Sequence, residues 1–306
     1  MTRDRILVTG ANGNLGRALL RELGPKRAFA AARAGRATLP DFTQVTLGPD
    51  GALPADALAR CDAVINAAGS VTGTGAQLAE ANVQLPVALA QAARAAGVRK
   101  FVQVSSFSIF GAAEYIDETT EEGPINDYGR SKAAAEAAIL PLARDDFAVE
   151  CLRLPFMFSA DEPALLGPLL KLATRLLVVP AAAERPFQRS MITYADTARQ
   201  LVASSERTTS GTASVADPRL FDYQLLQRIL SEEVAIRISL LSLPRLVVAG
   251  VDRLLPTVGR RLFRSSVLSP RVNLAGKQPL NLEHELRQLV RASYGRGRVS
   301  TFAQLS

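Results

Sequence analysis

The stretch that most constrains this chain is Val8-Thr9-Gly10-Ala11-Asn12-Gly13-Asn14-Leu15-Gly16, set between the strand-like Ile6-Leu7-Val8 and a helical pattern. Glycines at these steps allow a tight turn and close backbone approach. A pyrophosphate can then sit over the helix N-terminus, where unpaired NH groups point outward. The spacing alone is weak and could be a structural turn. As the first βα turn of a βαβ pattern it points to dinucleotide binding, with Gly10, Asn12, Gly13, Asn14, Leu15 and Gly16 as the contacts.

That pattern is present. Short apolar runs at 6–8, 28–32, 45–47, 63–65, 101–104 and 149–154 read as strands, with helical periodicity between most of them, notably at 76–96 and 131–140. Such alternation predicts an α/β fold built on a doubly wound parallel sheet. After Pro155 the pattern changes to helical stretches near 164–177, 194–205, 222–230, 244–255 and 282–292, with one short strand candidate at 189–192. The expectation is a nucleotide-binding domain over 1–155, to which about 187–216 returns. A smaller, mostly helical substrate-binding lobe would comprise 156–186 and 217–306.

With 306 residues, the chain can build one large domain or a domain with a smaller partner. It has no apolar run near the twenty residues that a membrane span needs, and the start of the chain lacks the layout of a signal peptide, so a cytoplasmic protein is expected. Cys61 and Cys151 have no metal-ligand spacing and read as small buried hydrophobes; His284 reads as a surface helix residue, and no metal site is expected.

The net charge of +7 is uneven. Residues 1–216 carry 22 basic and 22 acidic side chains, whereas 217–306 carry 14 and 7, and thirteen of those fourteen cations are arginine. Arginine suits phosphate and carboxylate, so the surplus fits a phosphorylated small molecule or an anionic membrane, while few aromatics and no tight basic run argue against nucleic acid. The segment 244–263 is largely apolar, with Arg245, Arg253, Arg260 and Arg261 among its cations and Pro256 placed to end or kink its helix. It reads as a core-facing helix followed by a basic exposed turn; a helix lying on a membrane surface is the alternative.

Further candidates fall at strand ends. Where an acid would bind the ribose of NAD, the second strand ends in Arg33, with Arg36 following, which favours the extra phosphate of NADP over NAD. Asn66-Ala67-Ala68-Gly69 ends the fourth strand and its small residues admit a ring. Ser105-Ser106 ends the fifth on the same edge. Tyr128 and Lys132, in Tyr-Gly-Arg-Ser-Lys, lie one helical turn apart and can form a proton-transfer pair, although a plain surface helix could carry the same spacing.

Taken together, these motifs resemble the extended short-chain dehydrogenase/reductases, the group of NAD(P)-dependent nucleotide-sugar epimerases, dehydratases and ketoreductases. The match is close from residue 5 to about 155 and looser beyond. Thr9 to Gly16, Asn82-Val83, Val104 to Gly111, Tyr128 to Lys132, Arg153 to Pro155 and Arg189 to Asp196 follow the family's motifs in order. The resemblance implies a Rossmann-like fold in which Ser106, Tyr128 and Lys132 are catalytic, Lys132 also holding the nicotinamide ribose. Ala67, Ala68, Gly69 and Pro155 would contact the cofactor, and Arg189 would lie near a substrate diphosphate. Asn82 would brace the active-site helix.

The implied reaction is hydride transfer at a sugar carbon, C4 in the leading reading, by a 4-ketoreductase or 4-epimerase of nucleoside-diphosphate sugars in polysaccharide synthesis. Dehydratases place Asp-Glu where this chain has Phe107-Ser108, which argues against elimination of water. Phe110 and Ser159 also depart from the family pattern beside the expected substrate pocket, and the third strand ends in Gly48-Pro49-Asp50 without the usual earlier acidic residue. Two other readings stand beside this one: a reductase of a lipophilic carbonyl on the same fold, and a non-catalytic NAD(P)-binding regulator. A homodimer through the Ala-rich face 133–138 is compatible with the sequence, as is packing of that face against the sheet.

Overall fold

The computed structural model describes residues 5–48, 52–164, 166–183, 187–254, 259, 262–276 and 280–294. Elements are numbered in chain order. A seven-stranded sheet is formed by β1 (Ile6–Thr9), β2 (Ala28–Arg33), β3 (Thr43–Leu47), β4 (Ala63–Asn66), β5 (Lys100–Ser106), β7 (Ala148–Leu154) and β12 (Gly211–Ser214), in the order β12-β7-β5-β4-β1-β2-β3. Every neighbouring pair is parallel. Strand order reverses between β1 and β4, and in open α/β sheets the crevice beyond the strand ends at such a point receives ligands.

Buried strands read as apolar runs because helices cover both faces. Alternate side chains divide the sheet between two cores. Ile6, Val8, Ile65, Val102 and Leu152 pack with Leu15 and Leu19 of α1 (Asn14–Arg27) and Leu201 of α7 (Tyr194–Ser205). Leu7, Phe29, Val64, Phe101 and Val149 pack with Leu89 of α4 (Leu85–Ala95) and Ile139 of α5 (Asp127–Ile139). The six expected strands are all present within one or two residues of their anticipated ends.

The helix expected over 76–96 is interrupted: α3 (Gly75–Ala79) passes through a π-helical turn at Glu80–Gln84 before α4. A short α2 (Ala55–Leu58) precedes β4. The helix expected over 131–140 starts four residues earlier, because Asn126 caps it by accepting a hydrogen bond from the Gly129 amide at 2.7 Å. Tyr128 thereby sits in the first turn.

A separate core lies in the C-terminal part. It joins α6 (Leu166–Leu176), α8 (Tyr223–Val234) and α10 (Leu282–Tyr294) through Leu166, Leu170, Leu226, Ile229, Leu286 and Val290. The expectation of mostly helical structure there missed several strand pairs. β9 (Val178–Ala182) runs parallel to β14 (Ser239–Leu243), and β8 (Phe156–Phe158) runs parallel to β11 (Met191–Thr193). β10 (Gln188–Arg189) is antiparallel to β13 (Phe221–Asp222), and β6 (Tyr115–Ile116) is parallel to β15 (Val267–Leu268). The single strand expected over 189–192 is therefore two, β10 and β11, which pair with different partners on either side of the buried Ser190. Two-residue ladders leave no periodicity that a sequence pattern can register.

One expectation for 244–263 is overturned. The helix forms as α9 (Arg245–Leu254), but it does not face the core: Leu246 is 86% exposed and Leu254 79%. Pro256, Arg260 and Arg261 lie outside the described residues, as do Pro49 and Asp50. Cys61 and Cys151 are buried free thiols, His284 is exposed on α10, and no metal-binding cluster occurs among the described residues. No helix among them is long and apolar enough to cross a membrane.

Candidate active site

The turn from β1 to α1 is built around close backbone contact. Gly10 has φ of +66°, and a Cβ there would come within 2.9 Å of the Ala67 and Ala68 backbone at the end of β4. A Cβ on Gly16 would lie 2.1 Å from the Gly10 carbonyl oxygen, so α1 can seat only on a glycine. Helix α1 starts after Gly13 with no side-chain cap and no acid in its first turn, leaving its amides open to an anion. Arg17 fixes the turn by donating to the Asn12 carbonyl at 2.6 Å and to Asn14 Oδ1 at 2.5 Å. Leu15 points into the core.

Above this turn lies a cleft of about 520 Å³, lined by the Thr9 to Gly13 turn, Ala32, Arg33, Arg36, the Asn66 to Ser70 segment and, from the opposite wall, Leu85, Pro86 and Leu89. An uncapped helix end, glycines that a Cβ would clash with and two arginines at the far wall fit a dinucleotide: phosphates over α1, adenosine toward Arg33 and Arg36.

Lys132 does not line this cleft but lies next to Gly69, which does. It is 4% exposed, and its Nζ donates to the Val104 carbonyl of β5 at 3.1 Å. The same ammonium lies 5.8 Å from the Tyr128 ring centroid, and a Cβ on Gly69 would be 3.4 Å from it. Burial pushes Lys132 down to about 8, with the charge of Glu136 among the groups opposing it. Burial also raises the Tyr128 phenol, while the adjacent Ser106 hydroxyl pulls it back. Ser106 ends β5 and accepts from the Ser108 amide at 3.1 Å, which fixes its hydroxyl at the start of the short 3₁₀ turn Phe107–Phe110. The structure thus brings Ser106, Tyr128 and Lys132 together beside Gly69. Pro155 is buried between β7 and β8.

Asn82, fully buried in the π-helical turn, is the brace. Its amide donates to the Ser70 carbonyl at 2.8 Å and to Ser131 Oγ at 2.9 Å, and its oxygen accepts from the Ser70 amide at 2.9 Å. Ser131 in turn donates to the Tyr128 carbonyl at 2.8 Å. The loop after β4 and the Tyr128 turn of α5 are locked to each other through one side chain.

A second buried chain of polar groups was not anticipated. Thr9 donates to Asn66 Oδ1, Asn66 donates to Gln103 Oε1 at 2.8 Å, and Gln103 donates to the Val104 carbonyl at 3.0 Å, which is the oxygen that also receives Lys132. A glutamine inside the apolar run Phe101-Val102-Gln103-Val104 was the available signal, since a buried amide needs partners. Arg189 is not part of this cluster of contacts. It stacks over Phe187 at 5.2 Å and donates to the Arg264 carbonyl at 3.2 Å, against the aromatic group Phe187, Phe221 and Tyr223.

A model of the NAD-dependent epimerase/dehydratase family matches residues 6–187, the span that holds the glycine turn, Ser106, Tyr128, Lys132 and Arg153 to Pro155. The chain belongs to this family. It is accordingly an enzyme of the extended short-chain dehydrogenase/reductase type, with the Rossmann-like fold of that group. Among solved structures, MoeE5 in complex with UDP-glucose and NAD is 22% identical, with a TM-score of 0.71 over 94% of this chain and 98% of that one. The UDP-N-acetylglucosamine 4-epimerase of Methanobrevibacter ruminantium M1 is 17% identical, TM-score 0.72, over 97% and 100%. An NAD-bound short-chain dehydrogenase/reductase superfamily protein of Agrobacterium tumefaciens is 17% identical, TM-score 0.73, over 95% and 98%. At these identities the likeness is one of fold. No curated protein matches the sequence.

Proposed function

We propose that this epimerase/dehydratase family member transfers hydride at C4 of a nucleoside-diphosphate sugar, as a 4-ketoreductase or a 4-epimerase. The observation that carries the reading is Lys132, buried against the Val104 carbonyl with its ammonium beside the Tyr128 ring and Gly69. A bound nicotinamide supplies the hydride or accepts it. In reduction, the Tyr128 phenol gives its proton to the ketone oxygen as hydride reaches the carbon. In oxidation, its phenolate takes the proton of the sugar hydroxyl as hydride leaves. Lys132, when charged, stabilises that phenolate and holds the ribose hydroxyls, and Ser106 hydrogen-bonds the reacting oxygen.

Arg33 and Arg36 on the cleft wall support NADP and net reduction over a retained NAD. The lobe of 156–186 and 217–306 would enclose the sugar, with Arg189 toward its diphosphate. A second copy would pack on α5, where Ala134, Ala137 and Ala138 are exposed.

Purified protein that oxidises NADPH with a UDP-4-keto-6-deoxy sugar supports the reductase. Tightly held NAD with interconversion of UDP-glucose and UDP-galactose and no net redox change would make it an epimerase. Turnover of a steroid or terpenoid ketone, with none of either sugar, would overturn the proposal.

A further inference from the structure

Among the cations beyond Pro155, two groups stand apart. On α8 and α10 the cations are neutralised: Arg287 binds Glu232, Glu233 and Glu283, Arg291 binds Glu233, and Arg219 and Arg228 bind Glu283. Around α6 and α9 they are not. Lys171, Arg175, Arg245 and Arg253 are exposed, with no ion pair among the described residues.

Most of the exposed large apolar side chains fall on the same elements. Of ten large hydrophobic residues exposed among the described residues, seven are on α6 and the residue after it (Leu172, Leu176, Leu177), β14 (Leu241) and α9 (Leu246, Val247, Leu254). These elements are continuous. α6 runs into β9, β9 pairs with β14 in parallel register, and β14 leads through Pro244 into α9. The Ser239 amide at the start of β14 donates to the Leu177 carbonyl at 2.8 Å, so the end of α6 is tied to the same ribbon.

Both helices carry large apolar side chains outward. α6 does bury one stripe, Leu166, Leu169, Leu170 and Ala173, but carries Leu172 and Leu176 outward, one turn apart, beside Lys171 and Arg175. In α9 none of the described side chains is buried; Leu246, Gly250 and Leu254 form one stripe at i, i+4, i+8, with Arg245 and Arg253 off its edge. Seven large exposed apolar side chains on elements joined by one ribbon are more than a monomer usually leaves to water.

We propose that the face formed by the end of α6, β14 and α9 docks the protein on an anionic lipid membrane. Outward leucines would enter the acyl boundary and the four unpaired cations would meet lipid phosphates, the chemistry of an interfacial rather than a spanning segment. A second copy of the chain would place like charges against like at this face, which is why lipid is the better occupant. The inference is independent of the sugar chemistry.

The test is co-sedimentation of the full-length protein with vesicles of phosphatidylcholine alone or with about 30% phosphatidylglycerol, at low and high salt. Binding should require the anionic lipid and fall at high salt as the charges are screened. Leu246→Ser with Leu254→Ser, and separately Arg245→Glu with Arg253→Glu, should each reduce the bound fraction at least about tenfold while leaving thermal unfolding and cofactor binding unchanged. Protein that stays in the supernatant with both vesicles, or variants that bind as well as the parent, overturns the proposal. So does a dimer in sedimentation equilibrium that the leucine pair of substitutions converts to monomer.

Discussion

The two halves of this molecule are held by different kinds of constraint. In the sheet half, backbone meets backbone: a Cβ on Gly16 would overlap the Gly10 carbonyl, and one on Gly10 would press on Ala67 and Ala68. Residue type there is dictated by geometry, and the chemistry-bearing side chains sit at a strand end (Ser106) or on a helix packed against the sheet (Tyr128 and Lys132 of α5). In the C-terminal lobe, side chains meet side chains: leucines of α6, α8 and α10 around a stacked Phe187 and Tyr223. Such a core accepts many sequences of similar volume. One half therefore restricts residue type position by position, and the other restricts mainly volume.

Substitutions can break or sharpen that contrast. The largest effect is expected from Gly16→Ala, which should destabilise the protein by about 3 kcal/mol and abolish dinucleotide binding, read by thermal unfolding and cofactor titration. Ordinary Tm and affinity would mean that α1 can shift, and the backbone constraint would be weaker than argued.

Lys132→Met should act in the opposite direction on stability. Burial brings this amine from 10.5 to about 8, so the unfolded chain binds more protons than the native one between these values, and native stability rises with pH across that window. The cost of the buried charge is fully present below about pH 8. Removing the amine should stabilise the ligand-free protein by about 2 kcal/mol at pH 7, after allowing for the lost bond to Val104, and the gain should shrink as pH passes from about 8 to 10.5. Denaturant melts across that range check it; a pH-independent difference would remove titration from the account.

Arg33→Ser is expected to weaken NADP binding about tenfold, with little change for NAD, as measured by fluorescence titration of both. Equal effects on the two cofactors would assign Arg33 to the adenosine rather than to the extra phosphate. The smallest effect belongs to the lobe. Tyr223→Phe removes a hydrogen bond to the Leu262 carbonyl at 2.6 Å and should cost about 1 kcal/mol in thermal unfolding with turnover unchanged. A large loss of activity would tie the lobe's aromatic group to the chemistry.

What could be read from the sequence follows the same division. β1, β2, β4, β5 and β7 are buried apolar runs, and Gly10, Gly69 and Ser106, at or just beyond strand ends, carry recognisable chemistry, so that half was legible. β10 and β13 are two residues each, and their pairing depends on what lies opposite, which no local pattern encodes. α9 shows the limit most clearly. Its amphipathic pattern was visible, but which side the apolar stripe faces is a tertiary fact, and the expected core-facing helix turned out exposed. Gln103 was visible too, yet its role in a chain from Thr9 to the Val104 carbonyl required the register of β1, β4 and β5.

In the proposed reaction Tyr128 exchanges the proton while the rest of the site binds. Tyr128→Phe tests it most directly, with turnover of a 4-keto or 4-hydroxy nucleotide sugar and the cofactor dissociation constant measured on the same preparation. A fall in kcat of about 10²- to 10⁴-fold with cofactor affinity unchanged is expected. A variant that turns over at the parent rate would contradict it.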